Sequence, residues 1–172
     1  MVIREIRTMI FDTVKGPAAV AGSSAGLCLV ILPGFSRRAL RSELRRRLPD
    51  SVESDRGLKA AAAAVALYFK GGRLPKKSPR LDLDGVGEFR RAVYGALAQV
   101  GAGETVTYSE LAQRIGRPGA HRSVGTALSR NPIPLFVPCH RVLRADGGLG
   151  GFTAKGGLEL KAFMLALEEV RK

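Results

Sequence analysis

The chain has 172 residues, 45% of them apolar, and its 28 basic residues outnumber the 15 acidic ones to give a net charge of +13. No apolar run approaches the roughly eighteen residues that a membrane-spanning helix needs, and no signal peptide is evident, so the sequence predicts a soluble, cytoplasmic protein without a membrane partner. Two Cys and two His are too few for a structural zinc site or a disulfide framework, and no metal or other cofactor is predicted. The basic charge favours a polyanionic partner, nucleic acid first, although charge that serves only solubility or heat stability explains the composition equally well.

The first forty residues indicate an α/β or β-rich module. An apolar run over residues 25–34, which Pro33-Gly34 closes, predicts a buried strand followed by a turn. Cys28 lies inside this run. Because free Cys behaves as a small apolar residue, Cys28 is interpreted as part of the core.

Two helices are predicted next. Ser36 is a suitable N-cap for an arginine-rich helix over residues 37–48, and an alanine run predicts a second helix over residues 55–69. The Arg45-Arg46-Arg47 run could contact phosphate, but a solvated helix face is the simpler interpretation. Two prolines in the basic segment 73–80 indicate a linker, so we predict an N-terminal domain over residues 1–80 and a C-terminal domain over residues 81–172.

The second domain is predicted to be mostly helical. Apolar residues at spacings of four, four and three indicate a helix over residues 88–100. A short extended piece over residues 105–108 follows, and Thr107 with Glu110 matches a capping box for a helix over residues 108–115.

A further helix over residues 119–130 is predicted to begin with Pro118 at its first turn, and with the preceding helix it forms a helix-turn-helix. Its side chains are small and Arg122 lies near its start. A helix of this kind can approach DNA closely, or it can pack tightly against another helix; the basic charge of the chain favours DNA.

The chain ends in a predicted helix over residues 156–170, which a glycine-rich run over residues 147–151 precedes. Such a run allows backbone to pass close to a ligand. Glu168 is placed unfavourably near the negative end of the helix. It is therefore either solvated or held by a partner such as His140.

Pro138-Cys139-His140-Arg141 follows an apolar run and is the best candidate for chemistry. Burial disfavours a thiolate, whereas a neighbouring His or Arg lowers the thiol pKa. Cys139 is thus a candidate nucleophile, and the alternative is a small core residue.

The run from Asn131 to Pro134, followed by Val137-Pro138-Cys139-His140-Arg141-Val142, resembles the signature of the O6-alkylguanine-DNA alkyltransferases, also called methylated-DNA–protein-cysteine methyltransferases. The likeness spans about residues 86–169. It implies an α/β protein with a small RNase H-like N-terminal domain, followed by a mostly helical domain that carries a helix-turn-helix and the active-site Cys.

The resemblance also implies roles for five residues. Cys139 would accept the alkyl group of O6-alkylguanine irreversibly, so that each molecule acts once. His140 would be its base through a bridging water, and Glu168 would hold the other imidazole nitrogen. Tyr108 would donate a proton to the departing base, and Asn131 would tie the recognition helix to the active-site turn.

The implied partner is double-stranded DNA, bound through its minor groove by a monomer, with the alkylated base flipped out and Arg122 filling the gap. The other implied DNA contacts are Ala120, Ser123, Thr126, Ala127 and Tyr108. The implied pocket residues are Pro134, Val142, Gly150, Phe152 and Thr153.

Three other functions compete with this one. A non-enzymatic damaged-DNA binder would keep the DNA-binding parts, but relatives of that kind replace the cysteine. A DNA-binding regulator would use the helix-turn-helix alone. A Cys-His hydrolase would turn over and release product.

Overall fold

A computed structural model describes residues 5–75 and 78–169. The chain separates into two units between Asp82 and Leu83. The linker predicted over residues 73–80 includes residues 76 and 77, which lie outside the described part.

The first unit is a four-stranded sheet with two helices. The strand order is β3-β2-β1-β4; β1, β2 and β3 pair antiparallel, and β4 pairs parallel to β1. The elements are β1 (Arg7–Thr13), β2 (Gly16–Ser23), β3 (Gly26–Ile31), α1 (Arg37–Arg47), β4 (Val52–Glu53) and α2 (Lys59–Phe69).

Helix α1 begins where the sequence predicts, because the Ser36 side chain accepts a hydrogen bond from the Ala39 amide at 3.2 Å. Its apolar face buries Leu40 and Leu44 in a cluster with alanine, leucine and isoleucine side chains of β2 and β3. Cys28 is partly buried against the same cluster. The arginine side chains of α1 lie outside this core.

The predicted start of the second helix, at residue 55, is wrong by four residues. Residues 55–58 form a turn in which the Leu58 amide donates to the Asp55 carbonyl at 3.0 Å. Gly57 there has φ of +79°, a left-handed conformation that a helix does not contain. The strand predicted over residues 25–34 is also shorter, since β3 ends at Ile31.

The second unit is mostly helical, with a two-stranded parallel sheet in which Val106 pairs with Val142 and Thr107 with Leu143. The elements are α3 (Glu88–Leu97), β5 (Val106–Thr107), α4 (Tyr108–Arg114), α5 (His121–Ser129), a 3₁₀ turn (Cys139–Arg141), β6 (Val142–Leu143) and α6 (Gly157–Glu169). The last residue of the predicted closing helix, Val170, lies outside the described part.

Helices α4 and α5 pack on each other across a tight turn, which is consistent with the predicted helix-turn-helix. Helix α4 has the predicted capping box between Thr107 and Glu110. The predicted start of α5 near Pro118 is wrong, because Gly119 is left-handed with φ of +87° and the helix begins at His121. Within the described ranges, none of the helices is long and apolar enough to cross a membrane.

Candidate active site

Cys139 opens the 3₁₀ turn at the end of a buried apolar run. Leu135, within that run, has φ of +77° and is the one non-glycine residue with positive φ among those the structure describes. Such a conformation costs about 1–3 kcal/mol and is held only by the surrounding packing. The Cys139 amide donates to the Val137 carbonyl at 2.8 Å and the Arg141 amide to the Pro138 carbonyl at 2.9 Å, so hydrogen bonds hold the turn that carries the thiol.

A buried network of charged side chains lies directly after the thiol. The Nε2 atom of His140 is 2.8 Å from Oε1 of Glu168, as predicted, and both side chains are almost completely buried. Arg141 also donates to Glu168, from Nε to Oε2 and from Nη2 to Oε1, both at 2.9 Å. Its Nη1 donates to the Val100 carbonyl at 2.5 Å, and the Gly103 amide donates to Glu168 Oε2 at 3.2 Å.

These contacts decide the protonation states of the pair. Burial raises the pKa of Glu168, but the hydrogen bonds from His140 and Arg141 outweigh it and hold the pKa well below its usual range. Burial lowers the pKa of His140, against the opposing effect of Glu168. At neutral pH the imidazole is therefore neutral, and Nε2 carries the proton that it donates to the Glu168 carboxylate.

Burial also raises the pKa of the Cys139 thiol. Three kinds of group oppose it: a hydrogen bond from Asn131, the positive charge of Lys161, and the backbone amides of Cys139 and His140. The sequence analysis offered the neighbouring His or Arg as the group that lowers the thiol pKa, but Arg141 is directed at Glu168 and the Val100 carbonyl.

Lys161, to which the sequence analysis assigned no role, is the cation whose charge lowers the pKa of Cys139. It is fully buried, and its Nζ donates to the carbonyls of Val142 at 2.6 Å, Leu149, and Gly151 at 3.4 Å. Burial lowers its pKa to about 8, which leaves the ammonium mostly charged at neutral pH. The sequence contains a pattern that could have indicated its burial. Lys161 and Glu168 share one face of α6 with the apolar Met164, at spacings of three and four.

Asn131 follows α5 and joins that helix to the active-site turn. Its amide donates through Nδ2 to the Val137 carbonyl at 2.8 Å, and its Oδ1 accepts from the Ile133 amide at 3.0 Å. Its backbone amide donates to the Leu128 carbonyl of α5 at 3.1 Å. These bonds are consistent with the role that the resemblance implies, in which Asn131 ties the recognition helix to the active-site turn.

Cys139 lines a small cavity with Tyr108 on another wall, and the remaining lining residues are Gly125, Leu128, Ser129, Gly151, Phe152 and Thr153. Burial raises the pKa of Tyr108, so its hydroxyl stays protonated. The structure thus brings four of the predicted residues together: Cys139, Tyr108, Phe152 and Thr153.

Three predicted pocket residues do not line this cavity. Val142 is fully buried in β6, and Pro134 lies in the turn that follows α5. Gly150 instead packs behind Tyr108: a Cβ atom there would lie 2.7 Å from the tyrosine oxygen, and its φ is +69°. Only glycine fits Gly150 without displacing Tyr108.

The exposed face of α5 carries most of the predicted DNA contacts. Arg122, Ser123 and Thr126 are exposed, and Ala120 is half-buried. The prediction that Ala127 contacts DNA is wrong, because its side chain is only 2% exposed. Its carbonyl accepts a hydrogen bond from the Tyr94 hydroxyl at 2.8 Å. Among the described residues, no cluster of three or more His, Cys, Asp or Glu side chains could hold a metal ion.

Comparison with known proteins agrees with this geometry. The family model described as 6-O-methylguanine DNA methyltransferase, DNA binding domain, matches residues 88–170. A methylated-DNA–protein-cysteine methyltransferase of Methanosarcina acetivorans is 39% identical, over 92% of this chain and 96% of that protein. The inducible enzyme of that name from Bacillus subtilis is 38% identical, over 87% and 83%. This chain belongs to the methylated-DNA–protein-cysteine methyltransferase family.

Solved structures give the same result over both units. Mycobacterium tuberculosis OGT in complex with DNA is 34% identical with a TM-score of 0.79, covering 96% of this chain and 94% of that one. The O6-methylguanine-DNA methyltransferase of Pyrococcus kodakaraensis is 26% identical with a TM-score of 0.67, covering 95% and 98%. These matches confirm the predicted α/β class, the family and the enzyme class, with alkyl transfer in DNA repair as its function.

Proposed function

We propose that this protein repairs O6-alkylguanine in double-stranded DNA by transferring the alkyl group to Cys139, once per molecule. The observation that carries the proposal is the arrangement around the thiol. Cys139 faces a cavity that Tyr108 shares, and the next residue, His140, is hydrogen-bonded to Glu168.

The first step is removal of the thiol proton. Because burial raises the pKa of Cys139, the group is mostly a thiol at neutral pH and needs a base. The Nε2 atom of His140 binds Glu168, so Nδ1 is the ring nitrogen that takes the proton, through a bridging water. The Glu168 carboxylate stabilises the imidazolium that forms, and Asn131 and Lys161 stabilise the thiolate.

The second step is displacement at the alkyl carbon. The Cys139 sulfur forms a bond to this carbon while the bond from carbon to the O6 atom of guanine breaks, and the electron pair of that bond leaves with guanine. Tyr108 donates its proton to the departing base and regains one from the imidazolium through solvent. The product is a thioether, and no group in the described site would reverse it.

The DNA-binding part of the proposal concerns α5. The alkylated base lies inside the duplex, so it must be flipped out, at a cost of about a few kcal/mol. The small exposed residues of α5 let the helix approach the minor groove, and Arg122 fills the gap left by the base. A monomer acting in the cytoplasm remains our expectation.

The deciding experiment is an intact mass measurement after the protein is mixed with duplex DNA that carries one O6-methylguanine. We expect a gain of one methyl group per protein, located by peptide mapping on Cys139, and no gain in Cys139→Ala although that variant still binds DNA. Multiple turnover with free product would support a hydrolase instead. Binding without any mass gain would support a damage binder or a regulator.

Base flipping has a separate test in Arg122→Ala. We expect this variant to lose roughly tenfold or more in transfer rate on duplex DNA, because the flipped state is no longer filled. Transfer from free O6-benzylguanine should be unchanged, since no stack has to be opened. Equal losses on both substrates would place Arg122 in the chemistry rather than in flipping.

A further inference from the structure

The outer face of helix α1 carries a concentration of positive charge that the proposed alkyl transfer does not use. Six of its eleven residues are arginine and only one is acidic. Leu40 and Leu44 face the core of the first unit, which leaves the arginines on the outside. Carboxylates of the same unit already neutralise some of these charges.

Three of the six arginines form close ion pairs. Arg37 donates to Asp12 at 2.7 Å, and Arg46 and Arg47 both donate to Glu43, at 2.7 and 2.6 Å. The hydrogen bond from Arg46, followed by that from Arg47, lowers the pKa of Glu43 to about 2, so this carboxylate stays charged beside them.

The other three arginines form a stripe, defined here as Arg38, Arg41 and Arg45. Their spacings of three and four place them on one face of the helix. Arg41 is 3.5 Å from Glu53, a long contact between exposed side chains. Arg38 and Arg45 form no ion pair with any residue that the structure describes. Ser42 lies on the same face, and its hydroxyl donates to the Arg38 carbonyl at 3.3 Å. Glu43, the one acidic residue of α1, is held by Arg46 and Arg47 instead.

The length of the stripe matches a nucleic-acid backbone. At 1.5 Å per residue, Arg38 to Arg45 spans roughly 10 Å along the helix axis. One strand of a duplex places a phosphate about every 3.4 Å along its axis, so the stripe is as long as about three phosphates. Guanidinium groups bind phosphate oxygens with two parallel hydrogen bonds, which suits three exposed arginines in a row.

We propose that the stripe on α1 is a second DNA-binding surface, which holds the backbone of duplex DNA without reading its sequence. The choice of DNA among polyanions rests on the proposed function. The charge and spacing of the stripe are observed independently of that function. Phosphate contacts carry no sequence information, so this surface would raise affinity for any duplex, damaged or not.

The test compares two triple variants of the full chain that lose the same charge. The stripe variant is R38Q/R41Q/R45Q. The control variant is R37Q/R46Q/R47Q, on the same helix, which removes the arginines that are already paired. Affinity for an unmodified duplex is measured over a series of salt concentrations, circular dichroism checks that both variants are folded, and transfer from free O6-benzylguanine checks the active site without any phosphate.

We expect the slope of log affinity against log salt to shrink by about 2.7 in the stripe variant, as three phosphate contacts are lost, and by less than about 1 in the control. Transfer from the free base should be unchanged in both. Equal slopes in the stripe variant and the unmodified protein, or equal losses in both variants, would overturn the proposal. Loss of binding to phosphatidylserine vesicles with DNA affinity unchanged would also overturn it, in favour of a membrane surface. If the unmodified protein did not accept alkyl groups from the free base, the alkyl-transfer proposal would fail while the DNA measurement would still decide the stripe.

Discussion

The two cysteines lie one in each unit, and their surroundings differ in the sign of the neighbouring charge. Burial raises the pKa of Cys28 to about 11, and the Asp82 carboxylate adds to this rise. Burial also raises the pKa of Cys139, but there the Asn131 hydrogen bond and the Lys161 charge act against it. Burial alone makes both thiols unreactive, so reactivity depends on the polar groups that each unit buries around its cysteine.

The same contrast holds for the two units as a whole. Among the described residues, the buried polar side chains of the first unit are limited to Thr8, whereas the second unit buries His140, Arg141, Lys161 and Glu168. Burying charges is unfavourable unless they are paired and hydrogen-bonded. In the proposed mechanism each of these groups would act on the thiol, on its base or on the loop beside it.

Replacing the base should have the largest effect on Cys139. In His140→Gln, transfer to duplex DNA should slow by roughly 10²–10⁴-fold at pH 7. The rate should then rise with pH by up to about tenfold per unit, since the thiol must ionise unaided and burial raises its pKa.

The unmodified protein should not show this rise. Burial lowers the pKa of His140, so its imidazole is already neutral at pH 7 and the rate should fall on the acid side. Lys161, whose pKa is about 8, loses its charge toward pH 9, so the rate should also decline there. Single-turnover kinetics from pH 5 to pH 9 measure both profiles. A flat profile in the variant would show that His140 is not the base.

The second largest effect is expected when one partner is removed from the buried network around Glu168. Arg141→Met leaves Glu168 without its two-bond partner, and breaking a buried pair in this way costs about 3–5 kcal/mol of unfolding free energy. The matched control, Arg37→Met, breaks an exposed pair with Asp12 in the first unit and should leave the urea midpoint almost unchanged. Similar midpoints for both variants would contradict the contrast between the units.

Removing the positive charge near the thiol should have a smaller effect. Lys161→Met should raise the pKa of Cys139 toward the behaviour of Cys28 and slow transfer by roughly tenfold at pH 7. Lys155→Met makes the same chemical change at an exposed position and should not alter the rate. Lys161 also holds the carbonyls of Leu149 and Gly151, so transfer from free O6-benzylguanine is measured as a function of pH. Loss of charge lowers the rate relative to the unmodified protein below about pH 8, where Lys161 is charged, and much less above it, whereas loosening of the loop lowers the rate equally at every pH.

The smallest change is expected at the other thiol. Asp82→Asn removes the carboxylate charge near Cys28 while its side chain still accepts the hydrogen bond that Ser23 donates at 2.6 Å. The pKa of Cys28 should fall but stay raised, because burial remains. In a Cys139→Ala background, alkylation by iodoacetamide at pH 9 should therefore speed up only by a few-fold. No change would mean that burial alone controls Cys28.

Local patterns in the sequence identified the candidate thiol and predicted two helix caps. Cys139, the capping box of α4 and the N-cap Ser36 all depend on residues within four positions of one another, and the structure confirms the two caps. The pairing of His140 with Glu168 spans 28 positions. The unfavourable place of Glu168 near the helix end left this pairing as one of two alternatives, and the family resemblance favoured it.

The errors come from long-range packing or from single backbone angles. Arg141 finds its partner 27 positions away, and Lys161 finds its acceptors 10 to 19 positions away, so neither role is visible in adjacent residues. Ala127 is buried by packing between helices, which its small size did not reveal. The early helix starts came from Gly57 and Gly119, whose left-handed angles depend on the turns that surround them.

The left-handed backbone of Leu135 limits how the protein could be engineered for heat resistance. A search for stabilising substitutions would choose this position first, because glycine there relieves the strained angle. The side chain is only 1% exposed, however, so glycine would leave a cavity in the wall that supports the Cys139 turn. Selection for stability at this residue would thus act against presentation of the thiol, and the apolar core of the first unit is the safer place to add stability.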